Sequence, residues 1–129
     1  LKLFLDASFL EALIRSERKN HLMQILLGEM DSFSRFFTSA HSIHLLLLSL
    51  GNITLEQKRM ILRNIEDLTD GIFSVSMDEI RSELLLAEGL GLEQVIALSQ
   101  GMDVFYECSK KEKPSHPLLQ VRNFFGETE

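Results

Sequence analysis

The chain has 129 residues, of which 45% are hydrophobic and 25% charged, and its formal net charge is -6. That length suits one compact domain, and the negative balance leaves no global basic field to hold a phosphate backbone, so any contact with RNA has to be local. The single cysteine, Cys108, excludes an intramolecular disulfide and a multi-cysteine metal framework, which fits a reducing, cytoplasmic location.

The first element is the apolar run Lys2 to Leu5, read as a strand, which ends on Asp6 with a helix start behind it. In a parallel α/β sheet the carboxyl end of a strand opens into the crevice where ligands bind, so Asp6 is either a turn or cap residue or a first metal ligand. Ser8 and Glu11 have the spacing of a capping box and open a helix over Ser8 to Ser16. A second helix covers Asn20 to Met30. Its "HLMQILLGEM" carries more apolar residues, Met23 and Leu27 among them, than one buried stripe requires, which predicts a homodimer through the amino-terminal half. Phe33, Phe36 and Phe37 lie at a second strand, Arg35 to Thr38, and are expected in the core rather than on a base-stacking platform.

The helix Ala40 to Leu50 is apolar nearly all round, which predicts burial on more than one side. Its His41 and His44 have a spacing that permits joint metal binding, with Asp6 and Cys108 as further donors; the simpler expectation is a hydrogen-bonded core histidine and a small buried thiol. Thr54 and Gln57 open a helix over Leu55 to Leu68 that turns Ile61, Ile65 and Leu68 to the sheet. A third strand, Gly71 to Val75, precedes Ser76 and Glu79, which cap a helix over Met77 to Glu88 with Met77, Ile80, Leu84 and Ala87 on its sheet side. Leu92 to Gln100 forms the last helix, and Gly51, Gly89 and Gly101 stand where helices stop. A fourth strand at Asp103 to Tyr106 and a fifth at Leu118 to Phe124 flank the loop "SKKEKPSHP".

All the strand candidates are short and poor in alternation, as in a parallel sheet covered on both faces. The strand, cap, helix rhythm predicts a three-layer α/β/α fold with a short, mostly parallel central sheet in a single domain, 1–129. The basic groups Arg15/Arg18/Lys19, Lys58/Arg59/Arg63 and Lys110/Lys111/Lys113 read as solvated faces. No apolar run reaches the length of a membrane span or has the form of a signal peptide, so no membrane contact is expected. G-x-S-x-G, P-loop and G-x-G-x-x-G patterns are absent from the sequence, which removes the usual signatures of nucleophilic and nucleotide-cradling sites.

A strand ending in Asp6, two helices, a second short strand, a buried helix, a long helix and then "GIFSVSMDEIRSELLLAEGLGLEQVIALSQGMDVFYEC" together resemble a PIN domain in order and spacing, from Leu1 to Lys110. The resemblance implies a bacterial, toxin-like ribonuclease fold with Lys2 to Leu5 as the middle strand and four acidic side chains that hold Mg²⁺ or Mn²⁺ for RNA hydrolysis. Such ions need several hard oxygen ligands to be gripped and to activate water. Asp6 matches the first of these positions. Leu45, with His44 beside it, stands where the family has Glu; Gln94 stands at the next acidic position with Glu93 beside it, and Cys108 at the last with Glu107 beside it.

A one-residue step rotates a helical side chain by about 100° and flips a strand side chain to the other face, so Glu93 and Glu107 are expected to miss Asp6. The reading is therefore a PIN-like pseudoenzyme that has lost its metal-dependent activity, takes no cofactor, and binds RNA or an antitoxin-like protein partner as a homodimer. The alternative is an active Mg²⁺- or Mn²⁺-dependent endoribonuclease of the toxin/antitoxin type, with Asp6, Glu93 and Glu107 as catalytic residues.

Overall fold

The computed structural model describes residues 1–15, 19–85, 89–111 and 114–126. In chain order its elements are β1 (Lys2–Leu5), α1 (Ala7–Arg15), α2 (Lys19–Asp31), β2 (Arg35–Ser39), α3 (Ala40–Ser49), α4 (Leu55–Leu68), β3 (Gly71–Phe73), α5 (Met77–Leu85), α6 (Leu92–Ser99), β4 (Val104–Glu107) and β5 (Gln120–Asn123). The strands form one parallel sheet in the order β3-β2-β1-β4-β5, with β1 in the middle as expected. Leu3 pairs with Phe36 on one side and with Val104 on the other.

Alternation along β1 builds the layers, because successive strand side chains leave on opposite faces. Leu3 and Leu5 join Phe36, Val104 and Tyr106 in a core covered by Phe9 and Leu10 of α1, Leu22 and Leu26 of α2, Leu46 of α3 and Ile65 of α4. Phe4 points the other way and packs with Phe37 and Phe105 under Ile96 and Ala97 of α6. The rings of Phe4 and Phe105 stack with centroids 5.4 Å apart. Both faces of the sheet are thus roofed by helices, the arrangement that near-continuous apolar strands require. No helix among the described residues is long and apolar enough to cross a membrane.

Local chemistry sets the element starts. Thr54 accepts from the Gln57 backbone while the Gln57 side chain accepts from the Thr54 N–H, so the capping box of α4 forms as read from the sequence. Ser76 and Glu79 exchange the same pair of bonds ahead of α5. Helix α1 differs. It starts one residue early, at Ala7, and its cap is Asp6, whose Oδ1 accepts from the Phe9 N–H at 2.8 Å. Ser8, the expected cap, donates its hydroxyl to that same oxygen.

Three packing expectations are corrected. Helix α3 buries one stripe, Ser42, Ile43 and Leu46, and leaves Leu48 65% exposed; α1 lies along its inner side, and its apolar outer face exceeds what this packing uses. On α5 the buried residue is Glu79, while Met77 and Leu84 are exposed. The reason is that α6 takes the place against the sheet and α5 packs on α6. Phe33, expected in the core with Phe36 and Phe37, is 91% exposed at a positive φ of 60° in the turn between α2 and β2. Among the boundaries, β3 ends at Phe73 and β4 runs one residue later than read, to Glu107. Ser16, Arg18, Ala87, Glu88 and Lys113 lie outside the described residues.

Candidate functional site

The sheet order reverses at β1. From there the chain proceeds outward through β2 and β3, then crosses back to β4 and β5 on the other side. The carboxyl ends of the two strands flanking such a reversal are splayed by their diverging connections, and the crevice between them is the ordinary ligand site of an open α/β sheet. Asp6 lies one residue past the end of β1, and Glu107 is the last residue of β4. Glu93 reaches the same place from the first turn of α6.

Asp6 is 1% exposed. Its Oδ1 holds the α1 backbone and the Ser8 hydroxyl, the latter at 2.7 Å, while its Oδ2 is buried with no hydrogen-bond partner among the described residues. Ser8 Oγ also accepts from the Cys108 N–H at 2.9 Å, which ties the start of α1 to the end of β4. Glu93 Oε2 accepts from the Ala7 N–H at 2.8 Å and from the Ser42 hydroxyl at 2.6 Å. Ser42 in turn shares a 2.8 Å hydrogen bond with Ser39, the cap of α3. The starts of α1, α3 and α6 therefore converge on two carboxylates, and helix amino termini favour negative charge.

The acids also act on one another electrostatically. Burial pushes the Asp6 carboxyl up to about 8, with the neighbouring Glu93 charge adding to the rise; hydrogen bonds from Ser8 and Phe9 oppose it, and Glu107 raises it further. Glu107 is itself 3% exposed. Glu93 and Glu107 stand near enough for their charges to act on Asp6, but influence through space is not joint ligation. Glu93 stands in the first turn of α6, next to a backbone turned by Gly91 at φ 84°, and its long side chain spans to Ala7.

The positions where the PIN resemblance places acids differ in character. Leu45 is half-buried, Gln94 is 2% exposed with neither carboxamide atom partnered among the described residues, and Cys108 is half-buried against the core. His41 is half-buried and His44 exposed. Among the described residues no three His, Cys, Asp or Glu side chains are placed so as to hold a metal ion. Ser8, Ser39 and Ser42 are the polar members that sequence reasoning did not assign to the site. Ser39 had a legible signal, since it follows an apolar strand and precedes an apolar helix, the position of a cap.

No family model, curated protein or solved structure matches the chain. What Asp6, Glu93 and Glu107 can do has to be argued from their own chemistry. Three carboxylates are the hard oxygen donors that Mg²⁺ and Mn²⁺ take, and the buried Asp6 Oδ2 has no hydrogen-bond partner among the described residues. In kind the donors fit a divalent cation. In placement they do not: no three such side chains among the described residues are set to hold an ion, and Glu93 Oε2 is already held by Ala7 and Ser42.

Proposed function

We propose that the chain is a PIN-like, divalent-cation-dependent phosphodiesterase acting on RNA, with Asp6, Glu93 and Glu107 as its acidic set. The observation behind this reading is the buried Asp6 Oδ2, without a hydrogen-bond partner among the described residues, at the strand-order reversal, where the Glu93 and Glu107 charges raise the Asp6 carboxyl. Like charges gathered away from water oppose folding unless something compensates them, and strongly perturbed acids in a cleft mark functional sites. Mg²⁺ or Mn²⁺ would activate water and steady the leaving oxygen. The chain's own part is to fix the donors: Phe9 and Ser8 hold one Asp6 oxygen, and Ala7 and Ser42 hold one oxygen of Glu93. A bacterial, cytoplasmic, toxin-like role with an antitoxin-like protein partner and a homodimeric state belongs to the same reading.

A second reading is favoured by Leu45 and Gln94, neutral residues where the resemblance places acids. On that reading the domain binds RNA without cutting it. One experiment separates the two: cleavage of single-stranded RNA with Mg²⁺ or Mn²⁺, run alongside RNA binding by fluorescence anisotropy. Metal-dependent cleavage by the wild type that falls at least about a hundredfold in Asp6→Asn, Glu93→Gln and Glu107→Gln supports the first reading. RNA binding with no cleavage in either metal abandons it for the second.

A further inference from the structure

Helix α2 carries its charges against its own dipole. Lys19 opens it and Asp31 closes it, with no acid in the first turn and no base in the last, whereas a helix favours acids at its start and bases at its end. Both residues are exposed, and neither forms an ion pair among the described residues. Glu29, the other acid near the end, is engaged: its two oxygens accept from the Ser34 and Tyr106 hydroxyls. The same helix carries an apolar stripe. At about 100° per residue, Lys19, Met23, Leu27 and Met30 fall within about 80° of one another, and Leu27 and Met30 are exposed along it.

Each end of the stripe has a further feature. At the start, Lys19 and Met23 line a cavity of about 290 Å³ whose other walls include Leu10, Leu13, Ile61 and Ile65, and Lys19 is its one charged residue among those described. At the end, Phe33 projects into solvent at φ 60°, a backbone conformation in which a bulky side chain is strained. Hydrogen bonds of 3.0 Å from the Phe33 N–H to the Met30 carbonyl and from the Ser34 N–H to the Glu29 carbonyl fix the turn that presents it. The cavity has room for the ring, since an apolar cavity of about 150 Å³ takes benzene.

We propose that α2 pairs antiparallel with α2 of a second copy, about a two-fold axis at the level of Ile25, so that the basic end of each helix meets the acidic end of the other and each Phe33 enters the partner's cavity. A two-fold interface is self-complementary, and a knob and a hole at opposite ends of one stripe satisfy that condition. This register brings Lys19 level with the partner's Asp31 and Met23 level with the partner's Leu27. At 1.5 Å per residue it sets Phe33 within about 3 Å of the partner's Lys19 along the helix axis, where a cation is attracted to the ring face. Parallel pairing would instead set Lys19 against Lys19 and Asp31 against Asp31, with both rings at the end remote from the cavities. The arrangement rests on the homodimeric part of the reading above and not on the chemistry of the acidic group.

The test is charge exchange, read by sedimentation velocity of the whole chain at low ionic strength, where charge contacts are least screened. Lys19→Glu and Asp31→Lys are each expected to weaken the dimer at least about tenfold, because each sets like charges against one another at both ends of the pair. An equimolar mixture of the two variants is expected to recover dimer, since the acid introduced in one chain meets the base introduced in the other while the native pair forms at the opposite end. The double variant is expected to recover it too. A fault within one chain is not mended by mixing, so recovery identifies a contact between chains. Phe33→Ser is expected to weaken the wild-type dimer at least about tenfold. A wild type that stays monomeric, a dimer indifferent to the single reversals, or a loss that neither the mixture nor the double variant restores would overturn the antiparallel pairing; a dimer indifferent to Phe33→Ser would overturn the insertion of the ring. RNA cleavage by a monomeric chain would remove this interface and leave the acidic group's chemistry standing. An antiparallel dimer that cuts no RNA would do the reverse.

Discussion

Asp6 keeps its proton across a pH range in which an ordinary aspartate has lost it. Its carboxyl titrates at about 8 in the folded chain, against 3.8 for the unperturbed group, chiefly because it is buried and then because Glu93 stands beside it. Between those two pH values the folded form holds a proton that the unfolded chain has released, so stability falls as pH rises through the interval. The full span corresponds to on the order of 5 kcal/mol. Urea unfolding at pH 5, 7 and 9 is expected to show this decline in the wild type. Asp6→Asn, which retains an oxygen for the Phe9 N–H and the Ser8 hydroxyl, is expected to flatten the profile and to exceed wild-type stability at pH 9. A wild-type profile as flat as that of the variant would refute the burial argument. Under the proposed function, Mn²⁺ added at pH 7 should also release protons into a weakly buffered solution, since metal ligation requires the ionised form.

At the scale of elements, helix starts hold the framework. Thr54→Ala removes the hydroxyl that accepts from the Gln57 N–H at the start of α4 while leaving its own N–H on the Gln57 side chain, and is expected to cost about 1 kcal/mol by urea unfolding. Glu79→Ala is expected to cost more, about 2 to 3 kcal/mol, because the Glu79 carboxylate is buried and satisfies the Ser76 N–H, the Ser76 hydroxyl and the Ser99 hydroxyl that joins α5 to α6. Equal losses in the two variants would count against a special role for that carboxylate. The strand and helix positions were legible because short apolar runs, caps and glycine stops are local signals; Gly51, Gly89 and Gly101 do take the positive φ that a helix stop favours. Side-chain destinations were less legible. The Met77 and Leu84 stripe looked like a sheet face, but which helix of the α5 and α6 pair lies against the sheet is a tertiary choice. The site was half legible for the same reason. Asp6 showed itself through its place after a strand, whereas the approach of Glu93 depends on how Gly91 turns the chain into α6 and on Ser42 of a distant helix.

Across the whole molecule, apolar surface is unevenly distributed. Leu27 and Met30 of α2 and Phe33 in the turn after it remain exposed at 52%, 41% and 91%, while Met23 packs against the core; the exposed three are where the proposed homodimer would have to form. Sedimentation at high micromolar concentration is expected to show a dimer that Leu27→Glu converts to monomer, and a wild type that stays monomeric would dismiss it. The central position of β1 carries a different consequence, one of timing. Its first partner, β2, follows within a few dozen residues, but the second, β4, arrives only after α6, when Leu3 meets Val104 and the Asp6 N–H bonds the Tyr106 carbonyl at 3.1 Å. Pairings so far apart in the chain are slow to form, because the intervening loop must be closed before they contribute. If β4 docks after the rate-limiting barrier, Asp6 is still wet at that barrier. Alkaline pH should then accelerate unfolding while leaving the folding arm of the chevron in place, so that a carboxylate at the centre of the sheet acts as a clock for the last strand to arrive.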